Sequence, residues 1–471
     1  MAVISSPTYD PITTATNLAN AYVAPTKAIL DAQAAKAKAT SGALTTLGSA
    51  LSAFQSALQG LTSGSKTVSA NSATMSNTAV ATATANSKAP AGTYSFYVEQ
   101  LATAGQVSYN VADSTATNAG SLNIALADGS TFQVALTNAD SDLDGKLTAK
   151  EIAAAVNVAA TNNARVTAST MTVNGVSKLV LTSTKTGASN AVTSIDVAGL
   201  GDTGLKASLS AKTVLSAASN AIVWIGGQSG TKIEQASNTV TAIDDVSFTV
   251  TQAQAANAAP VTLTVAADKS GTAANVQSFV TAYNTLLGVM NTLTAAGDHT
   301  PVSNSDTSAT SADAALHGDA GISSLRDRLN TALRSVTGGR SLINFGISAQ
   351  RDGTLSLDAN RLDKAIAADP AALDKLFGRA SALGDGTGVL GTMNKLVASW
   401  TNTTNGLLGS RKESASSKQR DITDRLTTVE NQFNSAYKRY LAQFTALQQL
   451  QSSMTGTSNL FTALFSSDSD N

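Results

Sequence analysis

The stretch Asp421–Met454, DITDRLTTVENQFNSAYKRYLAQFTALQQLQSSM, carries its apolar residues at Ile422, Leu426, Val429, Phe433, Ala436, Tyr440, Phe444, Leu447, Leu450 and Met454. The steps between them are threes and fours, mostly alternating. That is the stripe of a long helix burying one face against other helices. The two successive steps of four, Ala436 to Tyr440 to Phe444, depart from a strict heptad seam and predict local unwinding. Pro is absent from the stretch and the next Gly is Gly456, so nothing ends the helix early.

A helix this long is not stable on propensity alone and needs partners. Two other stripes offer them. Leu44, Leu47, Leu51, Phe54, Leu58 and Leu61 form one, and Val276, Phe279, Tyr283, Leu286, Met290 and Leu293 the other. Together they predict one antiparallel helical bundle, a coiled-coil leg built from both ends of the chain. Everything between Leu61 and Val276 is then an excursion out of that bundle and back.

The excursion reads as β structure. VATATA from Val80 and TYSFYVEQL from Thr93 alternate as strands do. Leu122–Leu126 and Phe132–Leu136 flank Asp128-Gly129, a hairpin signal, and Asn174-Gly175 marks a second hairpin into Lys178–Thr182. A helix is predicted over Ala149–Ala160, two strands over Arg165–Ala168 and Met171–Val173, and further strands between 214 and 268. After a polar loop near 295–315, Asp319 is the expected N-cap of a helix carrying Ile322, Leu325, Leu329 and Leu333. A hairpin through Arg351-Asp352-Gly353 and a helix capped by Asp358 follow, then a Gly/Ser/Thr-rich stretch up to the final helix.

The expected organisation is multidomain α+β. A segment 1–40, interrupted at Pro25, is disordered or helical only on assembly. Residues 41–85 and 270–444 form the leg. Residues 86–109 and 214–269 form an inner β-rich head domain, into which an outer α+β head, 110–213, is inserted. A segment 445–471 is frayed or helical on assembly.

Composition narrows the function. The chain has 471 residues, a net charge of −1, 13% charged residues, 4% aromatics and no Cys. This argues against a nucleic-acid surface and against a disulfide framework. No apolar run spans a bilayer, so no membrane insertion is expected, and MAVISSPTYDPITT is not a Sec signal. No nucleophile–base pair, phosphate loop or zinc motif can be assembled from the spacing, so no catalytic residue and no required cofactor are expected. His299 and His317 read as solvated loop residues. Trp224 reads as a buried strand residue and Trp400 as a helix-end residue, with interface anchors as the rival reading. Arg411, Lys412, Lys418, Arg420, Arg425, Lys438 and Arg439 alternate with acids as on a solvated helix face, contact with a neighbouring leg or a partner protein being the rival reading.

The sharpest local motif is DSDLDGKLTAKE, Asp140 to Glu151, which fits the calcium-loop pattern D-x-D-x-D-G-x₅-E. Asp140, Asp142 and Asp144 offer carboxylates, Lys146 its carbonyl and Glu151 a bidentate carboxylate. The competing reading is an ordinary Asp/Gly turn with an acidic residue early in the next helix, since the loop follows a strand rather than a helix. Any calcium there would be structural.

FGISAQRDGTLSLDANRLDKAIAADPAALDKLFG, from Phe345 to Gly378, resembles the flagellar hook-associated protein 2 family, the filament cap proteins (FliD). VEQLATAGQV (Val98–Val107), KLVLTSTKTGASN (Lys178–Asn190), SNTVTAIDDVSFTV (Ser237–Val250), VQSFVTAYNTL (Val276–Leu286) and NGLLGSRKES (Asn405–Ser414) support the resemblance in the same order. Asp245 stands where that family usually has Gly. The resemblance implies a non-enzymatic protein, exported by the flagellar type III route to the distal filament tip. There it would form a ring-like homo-oligomer, usually a pentamer, that retains flagellin and promotes its folding and insertion. Flagellin, the hook-associated proteins of the hook–filament junction and a cytoplasmic export chaperone on the C-terminal region are the implied partners, flagellin being the one that the basic face of the final helix would meet on its rival reading. The rival readings are another axial flagellar protein, flagellin or hook-associated protein 3, and a surface adhesin acting through the heads.

Overall fold

The computed structural model describes residues 10–64, 66–111, 114–115, 119–298, 312–381 and 385–466. The helices are α1 (Pro11–Gly60), α2 (Ala149–Val158), α3 (Thr203–Ser210), α4 (Lys269–Thr294), α5 (Ala320–Leu333), α6 (Ala359–Ala368), α7 (Pro370–Phe377), α8 (Gly388–Thr401) and α9 (Leu407–Ser466). The chain divides into two compact units, Met1–Ser63 with Ala273–Asn471, and Gly64–Thr272.

The first unit is helical. Asp10 caps α1 through the N–H groups of Ile12 and Thr13, and Pro11 occupies the first turn, where its missing N–H is harmless. Leu44, Leu47, Leu51, Phe54 and Leu58 of α1 are buried, as are Val276, Phe279, Tyr283, Leu286 and Met290 of α4. Phe54 meets Tyr283 edge-on with ring centroids 6.5 Å apart, and Phe279 meets Phe377 of α7 at 5.3 Å. The N-terminal and middle stripes therefore share one bundle. Leu61 and Leu293, at the ends of their helices, are only half-buried.

Three features of this unit bear on the expected organisation. No break separates residues 1–40 from the helix after them in the described part: α1 runs through Pro25 to Gly60. Pro25 is exposed, and buried Val23 and Leu30 on either side hold the helix together across the lost hydrogen bond. The Gly/Ser/Thr-rich stretch before the final helix contains α8, whose Val389, Leu390, Met393, Val397 and Trp400 are buried. Their steps of three and four were the available signal, hidden by the glycines around them. The C-terminal segment from 445 continues α9 without a break up to Ser466.

The second unit holds two cores. In the inner one, the sheet order is Ala70–Met75, Val261–Asp268, Gly92–Gln100, Ala221–Ile225, Thr231–Gln235, all antiparallel. A three-stranded sheet, Thr239–Ile243, Val246–Val250, Ala81–Ala85, joins it over Phe96, Val98, Val223, Phe248 and Leu263. Phe96 and Phe248 stack at 4.7 Å. The strand Ala70–Met75 lies within the range expected for the leg, but its pairing places it in this sheet. In the outer core, a four-stranded sheet (Lys212–Ser216, Gln106–Asn110, Val176–Ser183, Val166–Val173) and a three-stranded one (Val192–Asp196, Ser121–Leu126, Thr131–Ala135) pack with α2. Residues 166–173 form one strand, not the two expected. The Asn174-Gly175 turn has positive φ at both residues, 50° and 79°, as a two-residue hairpin of matching twist requires.

Asparagine side chains do the work of absent strands. Asn157 accepts from the Ala168 N–H and donates to its carbonyl, both at 2.8 Å. Asn162 does the same at Val166, at 3.0 and 2.8 Å, and also donates to the Val156 carbonyl at 3.1 Å. Asn238 pairs with both backbone groups of Ala102, and Asn284 of α4 with those of Leu355. Each amide presents one donor and one acceptor at the spacing of a peptide group, so it pairs a residue's two backbone groups as a neighbouring strand would.

Asp245 sits in the turn between Thr239–Ile243 and Val246–Val250 with φ 59°. A side chain there is strained relative to Gly. Asp245→Gly is expected to raise the stability of this unit by about 0.5–1 kcal/mol, read as a higher urea midpoint. A drop would show that the contact of Asn86 with the Asp245 carboxylate, at 3.3 Å, outweighs the strain.

Candidate assembly surface

The first unit presents a long two-helix surface. Gly48 of α1 lies against Leu408 at the start of α9, so closely that a Cβ would come within 2.6 Å of Leu408 Cδ2. Further out, Val23, Leu30 and Ala37 of α1 share a core with Ile422 and Val429 of α9, with Leu426 and Phe433 packed on its margin. The helices therefore run antiparallel. Ala15 and Ala19 carry the α1 seam towards its N-terminus, and small residues there let the helices approach closely. Along α9, Ala436 is buried and Tyr440 and Phe444 are half-buried. Leu447 is 46% exposed, Leu450 58% and Met454 64%, so the expected stripe outruns its cover among the described residues.

The root of the pair is tied by charge. Asp319 caps α5 through the Ile322 N–H and is hydrogen-bonded to the guanidinium of Arg411 on α9. Arg411 also lies over the Trp400 ring, 5.7 Å from its centroid. Burial pushes the Asp319 carboxyl up, but the Arg411 and Ile322 hydrogen bonds outweigh it and hold it below the usual carboxylate range. Arg411 is therefore more than a solvated face residue.

The acidic loop of the outer head forms partly as its sequence suggests. Ligand oxygens of Asp140, Asp142 and Asp144 lie within 4.8 Å of one another. Asp140 accepts from the Gly145 N–H, Asp142 from that of Asp144 and Asp144 from that of Lys146. Glu151 is not in the group. Its two oxygens are taken by the N–H and hydroxyl of Ser141 and of Thr148, in a capping box at the start of α2. Those bonds, the Thr148 N–H first, hold its carboxyl at about 2 against the opposing effect of burial. Lys146 lies in the short strand Lys146–Leu147, paired with Ser114–Thr115.

A group whose pKa is depressed by folding stabilises the fold above its unfolded pKa and stops doing so as pH falls through the folded value. The Glu151 contribution is thus complete above about pH 4.5 and is lost between there and about pH 2. Glu151→Gln is expected to flatten the stability profile of the outer head in that window, measured by urea unfolding at stepped pH. An unchanged profile would contradict the assignment.

His317 is exposed, with Nδ1 3.1 Å from the Thr294 carbonyl; His299 lies outside the described residues. Trp224 is half-buried on its strand and donates to Glu99 at 2.5 Å, and Trp400 is buried at the end of α8. Arg420 pairs with Glu413 on the same exposed face of α9.

The chain makes a helix pair from its two ends and β-rich cores from its middle, the architecture of a protein built to assemble through its helices. Family models for the flagellar hook-associated protein 2 N-terminus and C-terminus match residues 8–105 and 218–456. The lateral flagellar hook-associated protein 2 of Vibrio parahaemolyticus is 31% identical over 398 residues, 83% of this chain and 85% of that one. The B-type flagellar hook-associated protein 2 of Pseudomonas aeruginosa is 32% identical over 448 residues, 89% and 88% of the two chains. The crystal structure of the flagellar cap protein FliD D1-D2-D3 domains from Escherichia coli superposes with a TM-score of 0.60 at 27% identity, covering 79% of this chain and 99% of that one. The chain belongs to the flagellar hook-associated protein 2 family, whose members are structural flagellar cap proteins.

Proposed function

We propose that this protein caps the distal end of the bacterial flagellar filament as a ring-like homo-oligomer, a pentamer by family likeness, and promotes flagellin folding and insertion there. It is secreted through the flagellar export route. Its contacts are with its own copies, flagellin, the hook-associated proteins at the junction and, before export, a chaperone on the C-terminal region. The observation that carries this is the apolar stripe of α9 running on into solvent through Leu447, Leu450, Met454, Leu460 and Phe461. A helix exposing that stripe is built to bury it against other helices, as a leg set into a helical filament end must. Among the described residues no helix is long and apolar enough to cross a membrane.

The test is complementation of a bacterium lacking its cap protein. The full chain should restore filaments. A chain ending at Phe444 should leave cells non-motile, with unpolymerised flagellin in the medium. Full motility from the shortened chain would refute the reading.

We also infer a structural calcium site at Asp140, Asp142 and Asp144. Asp140 Oδ1 is buried without a hydrogen-bond partner, and three carboxylates this close repel one another without a cation. Calorimetry with calcium on the full chain should register binding that Asp142→Asn weakens. Absence of heat and of any thermal stabilisation would remove the site. Glu151 would join the ligands only by giving up its capping bonds.

A further inference from the structure

The helix pair carries two different apolar flanks at one level. At 100° per residue, the α1 seam residues Ala15, Ala19, Val23, Leu30 and Ala37 cluster on one arc; Leu18, Tyr22 and Ile29 lie about 85° to one side of it, and Asn20, Lys27 and Asp31 about 95° to the other. The first flank protrudes: Leu18 is 41% exposed, Tyr22 58% and Ile29 59%. The second is recessed. There a groove of about 440 Å³ runs between α1 and α9, lined by Val23, Leu426, Val429 and Phe433 with Lys27, Asp31 and Glu430 among its charged residues.

We propose that the protruding flank of one copy seats in the groove of the next, so that the legs of neighbouring copies bind one another directly. This rests on the ring reading above and names the surface that would form it. A knob on one side and a hole on the other cannot satisfy each other within one copy. They join copies head to tail, the arrangement that closes rings, whereas a self-complementary patch gives two-fold dimers. Charge agrees: exposed Lys36 continues the protruding arc, while exposed Glu430 stands beside the groove.

The native chain has no Cys, which makes the test direct. A full chain carrying Tyr22→Cys and Thr427→Cys holds one thiol on each flank. Mild oxidation should give a ladder of covalent oligomers on a non-reducing gel, with the top rung reading the ring size. Either single variant should stay uncoupled, and helix content by circular dichroism should match the unsubstituted chain. Efficient dimers from Tyr22→Cys alone would put stripe against stripe and overturn the proposal. No ladder from a chain that sedimentation shows to be a ring would overturn it while leaving the ring reading intact. A chain monomeric at every concentration would end both. Protection of the Thr427→Cys thiol from alkylation by added flagellin, but not by further copies, would overturn the proposal and give the groove to that protein instead.

Discussion

Asn162→Ala is expected to lower the unfolding free energy of the outer head by about 2–4 kcal/mol, because it strands two backbone groups at about 1–3 kcal/mol each, less some relaxation. The groups are the N–H and carbonyl of Val166; the Val156 carbonyl loses the Asn162 amide but keeps the Ala159 N–H. Asn162, Val156 and Val166 are all buried, so water does not reach these groups without the fold opening. Asn162→Asp should not rescue the loss. It keeps the acceptor for the Val166 N–H but sets a carboxylate against two carbonyls. Urea unfolding should show the shift as a lower midpoint with unchanged slope. A loss below about 1 kcal/mol would mean that the strand edge finds other partners, and the account of the amide as a substitute strand would fail.

Phe279→Ala should cost the helical unit a similar amount, about 3–5 kcal/mol. Phe279 is fully buried and meets the Phe377 ring edge-on at an interplanar angle of 87°. Those two rings fasten α7 to α4, and Phe54 with Tyr283 fastens α1 to the same helix. The unfolding midpoint followed by helix signal should fall accordingly. A double-mutant cycle with Phe377→Ala should return a coupling of about 0.5–1.5 kcal/mol. Additive effects would show that the two rings share a core without contributing to each other.

The helical stripes were legible because burial on one side of a helix leaves a period that no other structure makes. Leu44 to Leu58, Val276 to Met290 and Ile422 to Val429 are buried where that period puts them. Hairpins at Asp128-Gly129, Asn174-Gly175 and Asp352-Gly353 were legible because their turns need a left-handed residue. What the period misses is small or polar. The outer seam of α1 is mostly alanine, which reads equally as a solvated helix, and α8 hides among glycines. The asparagines at 157, 162, 238 and 284 leave no trace in any pattern, because their role depends on backbone brought from elsewhere in the chain. Glu151 shows the same limit: spacing alone gave it to the acidic loop, and the capping geometry of Thr148 holds it elsewhere.

The antiparallel pairing of α1 with α9 has a consequence for synthesis. Leu30 shares a core with Val429 across roughly 400 residues of intervening polypeptide, a closure whose entropy no local turn can offset. The β heads and the inner half of α1, which packs on α4, can form earlier, but the outer half of α1 has to wait for the last helix. Until translation ends, the seam of α1 up to Ala37 stays unzipped and open to any factor that holds it so.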